Sequence, residues 1–257
     1  MPVAFTPARV TDACRLAPGV ARITLGADVL AGVPPLPSGE VALRFPDDGG
    51  GLEERRYSVW RGDAGTGTLD VCVVLHGLGP GSRWAARARP GDSLEISLAR
   101  TLPLELDASA GTHLFLGDET SVAAADALMR VALAGAVDSR ERAPSAHDSA
   151  PPRLEAFFEI ASPDFRWPDD ALVAPPSVRW TERAGRPGTA LLAWMTPDRL
   201  PAADGLTVYV TGETWLCASV QSRLVRELGV APGAVRALPF WKWRRAPALV
   251  GSPSPAT

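Results

Sequence analysis

Near residue 108 the hydrophobic pattern of this chain changes period, and that change restricts the fold more than any other feature. Before it, five short runs are rich in β-branched or aromatic residues: Val20–Leu25, Val41–Phe45, Arg56–Trp60, Leu69–Leu75 and Leu94–Leu98. Clusters of Gly, Pro and Asp separate them, at Gly32–Gly39, Pro46–Gly51, Gly62–Gly67 and Pro90–Asp92. Short strands between turn signals predict an antiparallel barrel or sandwich. After residue 108, strands alternate with helices. Thr112–Leu116 precedes an Ala/Leu/Met helix from Ser121 to about Ala134, with Thr120 or Ser121 as its cap. Arg153–Ile160 and Val178–Thr181 are further strands, Leu206–Val210 leads into a helix ending near Leu228, and Val235–Leu238 is the last strand. Such alternation predicts a doubly wound parallel sheet, whose ligands sit at the carboxyl ends of the strands. The reading is thus two domains: an antiparallel β-barrel over residues 1–107 and an α/β domain over 108–257. The polar, Pro-rich stretch 139–152 is expected to be an exposed, disordered loop, and the tail from Pro247 to be disordered.

The stretch Arg55 to Asp92 carries the chemistry. Arg55-x-Tyr57-Ser58 puts a guanidinium, a ring and a hydroxyl on one strand, where alternating and adjacent positions reach one flat ligand. The Arg suits a phosphate, the ring a heteroaromatic face and the hydroxyl a ring nitrogen. Downstream, the apolar strand ending at His76 runs into Gly77-Leu78-Gly79-Pro80-Gly81-Ser82, a turn that opens a short helix. Free N–H groups and the positive end of the helix dipole suit a pyrophosphate there. Together the two parts describe a flavin dinucleotide site.

Composition narrows the alternatives. The chain is 46% hydrophobic and 21% charged, enough to bury a core, and its net charge of −3 does not suggest nucleic acid or a membrane surface as partner. Cys14, Cys72 and Cys217 are scattered and form no C-x-x-C, so neither an iron–sulfur cluster nor a structural zinc is expected, and all three read as buried thiols. No secretory leader or membrane span is recognised, so a cytoplasmic monomer is expected.

These motifs resemble those of the siderophore-interacting protein family, FAD-dependent ferric-siderophore reductases of the ferredoxin-reductase superfamily. Arg55, Tyr57 and Ser58 match its Arg-x-Tyr-Ser/Thr motif, and His76 through Ala85 with Pro90-Gly91-Asp92 matches its His-Gly-x-x-Gly-Pro-Ala-Ser-x-Trp-Ala segment and following turn. The resemblance assigns Arg55, Tyr57, Ser58, His76, Gly79 and Ser82 to FAD. It assigns Gly117, Asp118, Glu119 and Thr120, with Gly212 and Glu213, to NADPH or NADH. The closing Phe240-Trp241-Lys242-Trp243-Arg244-Arg245-Ala246 resembles the family's Tyr-Trp-Arg-x-Gly, and Lys242, Arg244 and Arg245 are the candidate wall of a ferric-siderophore site.

The chain also departs from the family. Trp60 stands where an Arg is usual, and Gly81 replaces an Ala. Ser97–Arg100 lacks a Gly-Pro pair, Ser121-Val122-Ala123-Ala124 lacks a first-turn Pro, and Ala246 replaces a Gly. The activity implied is electron transfer from NAD(P)H through FAD to Fe(III) in a siderophore, with no catalytic acid, base or protein-bound metal. Two alternatives stay open: a flavoprotein of the same fold with another acceptor, and a non-catalytic module that binds FAD or a siderophore.

Overall fold

A computed structural model describes residues 4–32, 38–47, 49–77, 79–98, 104–142, 151–202 and 204–243, with side chains of 136–142 excepted. Six strands close an antiparallel barrel: β1 (Thr6–Ala17), β2 (Val20–Gly26), β3 (Glu40–Pro46), β4 (Leu52–Asp63), β5 (Thr68–Val74) and β6 (Ser93–Leu98), in the order β1-β2-β5-β4-β3-β6. Helix α1 (Pro80–Arg87) lies between β5 and β6. Five parallel strands follow: β7 (Thr112–Asp118), β8 (Arg153–Ile160), β9 (Val178–Glu182), β10 (Leu206–Glu213) and β11 (Val235–Trp241). Helices α2 (Val122–Arg142), α3 (Thr189–Trp194) and α4 (Thr214–Arg226) complete this half.

The sequence does not announce β1. Its inward side chains are small (Ala8 and Val10), while Arg9, Thr11, Asp12 and Arg15 face out, so it lacks the bulky apolar run that marks the other strands. Yet β1 closes the barrel, pairing Thr6 with Ile96 of β6 and Ala17 with Val20 of β2. The barrel core is Ile23, Leu25, Val41, Leu43, Phe45, Leu69, Val71 and Ile96, with Trp84 of α1 stacked on Phe45 at 4.8 Å between ring centroids. Trp84 thus anchors the helix that opens after the glycine turn. One expectation about the cysteines is corrected: Cys217 is buried and Cys72 half-buried, but Cys14 is exposed, on the outward face of β1 opposite Arg22.

The parallel sheet has the order β11-β10-β7-β8-β9. The chain builds outward from β7 to β9, then returns to β10 on the other side of β7, so the switch point lies between β7 and β10. Connections after β7 and β8 cover one face with α2 and with single turns around Trp167, Ala171 and Leu172. Those after β9 and β10 cover the other with α3 and α4, where Leu191, Met195, Leu216, Val220 and Leu224 pack on Leu114, Leu116, Val208 and Val210. Changing faces when the direction of winding reverses is what right-handed crossovers require. The helix expected to end near Ala134 runs on to Arg142, four residues into the stretch expected to be a loop, and residues 143–150 of that stretch lie outside the described residues, as does the tail.

Trp60 joins the two halves. It is buried among Ala17, Val20, Leu128, Met129 and Trp167, and its indole Nε1 donates to Asp126 Oδ2 of α2 at 2.8 Å. Asp126 also accepts from Arg130 Nε at 2.8 Å and from Val173 N at 2.7 Å. Arg61 lies over the Trp60 ring at 3.9 Å and donates to Ala171 O at 3.0 Å. Gly19 completes the seam: a Cβ there would sit 2.6 Å from the Phe165 ring. The residue that departs from the family's Arg is therefore a structural tie between barrel and sheet.

Candidate functional site

On the barrel, β4 and the first turn of α1 meet at Gly81. A Cβ built on Gly81 would lie 2.2 Å from Tyr57 Oη and 3.4 Å from Arg55 Cγ, so the arginine, the ring and the helix start converge on one point. Pro80 occupies the first helical position and Gly79 the N-cap, with extended backbone angles and no side-chain cap. The hydroxyl of Ser82 is buried and accepts from Gly77 N at 2.9 Å, closing the glycine turn from inside. His76 is exposed at the end of the strand run, its ring 3.2 Å from where a Gly79 Cβ would stand. Arg55 is exposed and paired with Glu53 at 2.7 Å, and Ser58 is half-buried opposite Glu40. Burial raises the pKa of the Tyr57 phenol, with Arg55 pulling the other way, so it stays protonated at neutral pH. Neither of two surface concavities, one beside Arg61–Asp70 and one between Leu16–Pro18 and Pro163–Asp169, contains any of these residues.

This donor set fits a flavin dinucleotide. A guanidinium on an exposed strand, a ring beside it and a capless helix start opened by glycines supply charge, a flat surface and backbone donors around one ledge. Gly81 matters most, because any side chain there would displace the Tyr57 hydroxyl.

The carboxyl edge of the parallel sheet is built differently. Three strands carry, at or next to their last residue, an acid that is almost fully buried: Asp118 of β7, Glu159 of β8 and Glu213 of β10. Each turns back on nearby donors. Asp118 Oδ1 accepts from Thr120 N at 2.9 Å and Thr120 Oγ1 at 2.5 Å, while its Oδ2 accepts from Glu213 N at 2.9 Å and Trp241 Nε1 at 3.0 Å. Glu213 caps α4, accepting from Trp215 N at 2.6 Å and Leu216 N at 3.0 Å, and its other oxygen holds Trp243 N at 3.0 Å. Glu159 caps α3, accepting from Gly188 N and from Leu191 N at 3.1 Å. Burial, and then the neighbouring Glu119, push the Asp118 carboxyl up to about 6.

The glycines here are set by contact. A Cβ on Gly117 would lie 2.3 Å from Ser121 Oγ and 2.8 Å from Thr211 O, and Gly212, at φ +114°, has no room beside Asp118 Oδ2 at 2.5 Å. Glu119 makes a two-pronged, nearly buried pair with Arg183, at 2.6 Å between Oε1 and Nη2. Burial works against the Arg183 charge, and the bond to Glu119 together with the negative charges of Glu119, Asp118 and Glu159 more than offsets it.

The structure therefore gathers Arg55, Tyr57, Ser82 and Gly79 at one ledge, and Gly117, Asp118, Thr120, Gly212 and Glu213 around the switch point. Lys242 is exposed beyond β11; Arg244 and Arg245 lie outside the described residues. Arg166, in the loop after β8, is exposed 3.9 Å from Asp169. Sequence reasoning overlooked Glu159, Arg183 and a stack of Arg186 with Trp215 and Trp243. A signal for Glu159 was present, since it closes an apolar strand as Asp118 and Glu213 do. No local pattern marks the stack, whose members come from three separate segments.

Comparison with known proteins agrees with this architecture. The family model described as siderophore-interacting protein matches residues 110–244, and that described as siderophore-interacting FAD-binding domain matches residues 51–100. The ferric vibriobactin reductase ViuB of Vibrio cholerae serotype O1 is 25% identical over 248 residues, covering 86% of this chain and 83% of ViuB. A siderophore utilization protein from T. fusca superposes with a TM-score of 0.71 at 25% identity, over 96% of this chain and 95% of that one. A ferredoxin NADP+ reductase from Neisseria gonorrhoeae, solved with FAD and NADP, shares the fold at a TM-score of 0.64 and 16% identity, over 92% and 99% of the two chains. With more than half of its length matched by the first model and the barrel from β4 to β6 by the second, the chain belongs to the siderophore-interacting protein family and carries that family's FAD-binding domain.

Proposed function

We propose that this protein reduces Fe(III) held in a siderophore, with FAD as its cofactor and NAD(P)H as electron donor, and so releases iron as Fe(II). The observation that carries the reading is the convergence of Arg55, Tyr57 and the start of α1 on Gly81, in a chain of this family. FAD, when bound, accepts a hydride and gives up electrons singly. The residues of the chain bind and orient it. Arg55 exchanges its exposed pair with Glu53 for a phosphate, the α1 amides face the diphosphate, and Tyr57, held against the barrel core, offers a fixed ring surface. The siderophore carries the iron as substrate. Lys242 stands exposed at the carboxyl edge to attract an anionic complex. Fe(II) binds hard oxygen ligands less tightly than Fe(III), so reduction frees the metal.

The test is an absorption spectrum. Purified protein should be yellow, anaerobic NADPH or NADH should bleach it, and a ferric siderophore should restore the colour while an Fe(II) chelator reports iron. Colourless protein that FAD cannot reconstitute would remove the reading altogether. A second reading, in which another donor reduces the flavin, draws on the carboxylates that occupy the helix starts at Asp118 and Glu213. Yellow protein that bleaches with dithionite but with neither nucleotide would select it.

A further inference from the structure

Accepting NAD(P)H as donor, the structure raises a problem at the place where its phosphates would go. A doubly wound sheet offers phosphates the helix starts at the switch point, through free N–H groups and the helix dipole. Here several amides at and beside those starts already have carboxylate partners. Asp118 holds Thr120 N and Glu213 N, Glu213 holds Trp215 N and Leu216 N, and Glu159 holds Gly188 N and Leu191 N. A phosphate at any of these starts meets a buried carboxylate rather than a donor, and like charges in a low-dielectric site repel strongly. The phosphate therefore needs a side-chain cation. Arg183 is engaged with both oxygens of Glu119.

Arg186 is placed differently. It follows β9, and its loop carries it across the carboxyl edge to the far side of the switch point. There its guanidinium lies 4.2 Å over the ring of Trp215 and 6.0 Å from that of Trp243. Trp215 opens α4 after β10, and Trp243 follows β11. Both platforms are fixed from behind. A Cβ on Gly188 would lie 3.0 Å from the Trp215 ring, and Trp243 N is held by Glu213. The loop itself is pinned by Thr189 Oγ1 donating to Arg186 O at 2.9 Å. Among the described residues Arg186 is exposed and has no carboxylate partner. Indole faces hold a guanidinium by its plane and leave its N–H edge free, the edge that takes a phosphate in a two-pronged way.

We infer that Arg186, braced by Trp215 and Trp243, holds a phosphate of the reduced dinucleotide, in place of the helix starts that Asp118, Glu159 and Glu213 have closed. The phosphate is either the 2′-phosphate of NADPH or the diphosphate common to both nucleotides, and the test separates them.

The full-length flavoprotein and its Arg186→Gln and Arg186→Lys variants are titrated calorimetrically with 2′,5′-ADP, 5′-ADP and 5′-AMP. In parallel, anaerobic flavin reduction is followed at graded NADPH and NADH. Loss of charge-assisted hydrogen bonds should weaken binding in Arg186→Gln by about ten- to a hundredfold. Arg186→Lys should recover part of it. A loss seen with 2′,5′-ADP and NADPH alone assigns the 2′-phosphate; a loss shared by 5′-ADP and NADH assigns the diphosphate. Flavin content, and oxidation of dithionite-reduced enzyme by ferric siderophore, should not change. Wild-type affinity in Arg186→Gln overturns the inference, as does failure of wild type to bind any fragment while NADPH still bleaches the flavin. If the fragments bind through Arg186 but neither nucleotide bleaches the flavin, the phosphate site stands and the donor assignment falls.

Discussion

Substituting Gly81 by Ala tests the flavin ledge most directly, because its effect should reverse sign with a second substitution. The new Cβ would lie 2.2 Å from Tyr57 Oη, well inside contact distance, while the next atoms are 3.4 Å (Arg55 Cγ) and 3.5 Å (Tyr57 Cζ) away. One oxygen atom thus makes the whole conflict. Tyr57 cannot easily move off, since its ring packs against the barrel core. Overpacking of this kind costs about 1–3 kcal/mol. Against it, Ala in a helix gains roughly 0.5–1 kcal/mol over Gly. Gly81→Ala should therefore destabilise the wild-type background by about 0.5–2 kcal/mol and stabilise the Tyr57→Phe background by up to about 1 kcal/mol. For a chain of this size each kcal/mol moves Tm by about 2–4 °C. Thermal unfolding of the four proteins closes a double-mutant cycle, and flavin release on dilution should follow it, since a tilted Tyr57 withdraws the surface on which the cofactor lies. Additivity within about 0.5 kcal/mol would refute the reasoning, because sites that touch should not be independent.

Three other substitutions probe the remaining joints. Trp60→Phe removes the indole donor from Asp126 and leaves a buried carboxylate one bond short, so Tm should fall by roughly 3–12 °C at about 1.5–3 kcal/mol; a change under 1 °C in differential scanning calorimetry would show that the seam does not depend on this bond. Gly117→Ala places a Cβ 2.8 Å from the backbone carbonyl of Thr211, which cannot yield as a side chain does, and Ser121→Gly should not restore soluble, folded protein as judged by circular dichroism. The Asp118 carboxyl is raised from 3.8 to about 6, with Glu119, Arg183 and Glu213 around it. A raised folded-state pKa means the native form holds the proton longer, so this group's contribution is present below pH 4 and is lost as pH climbs through 6. The loss is on the order of 3 kcal/mol. Denaturant midpoints of Asp118→Asn between pH 4.5 and 7.5 should be flatter against pH than those of the wild type; identical slopes would count against the assignment.

The barrel followed by a parallel sheet was legible because the hydrophobic period itself changes, and Arg153–Ile160 was bounded to the residue. What escaped was structure held by partners remote in sequence. Strand β1 carries little apolar bulk and exists because β2 and β6 supply pairs on both sides. Helix α3 has six residues, too short to signal by periodicity, and forms on the carboxylate of Glu159. At the ledge, the motif Arg55-x-Tyr57-Ser58 and the glycine turn were readable as separate pieces. That Gly81 is the point where they touch was not, since it requires knowing that α1 folds back over β4. Trp60 shows the same limit: as a letter it was a missing arginine, and only in space does it become the donor to Asp126.

Asp118, Glu159 and Glu213 also explain why the nucleotide motifs spoke ambiguously. Gly-Asp-Glu-Thr and Gly-Glu before a helix are what a phosphate cradle looks like in one dimension, and equally what a self-capped helix looks like. At α4 the distances favour the second form, since the Glu213 carboxylate holds Trp215 N and Leu216 N of its own first turn, while Asp118 reaches Thr120 N and, across the switch point, Glu213 N. Three buried negative charges then fix the rest of the edge. Glu213 positions Trp243, Asp118 positions Trp241, and Glu159 seats the turn that presents Arg186. The acids that hold these amides are the same groups that hold in place the aromatic platforms and the loop of Arg186.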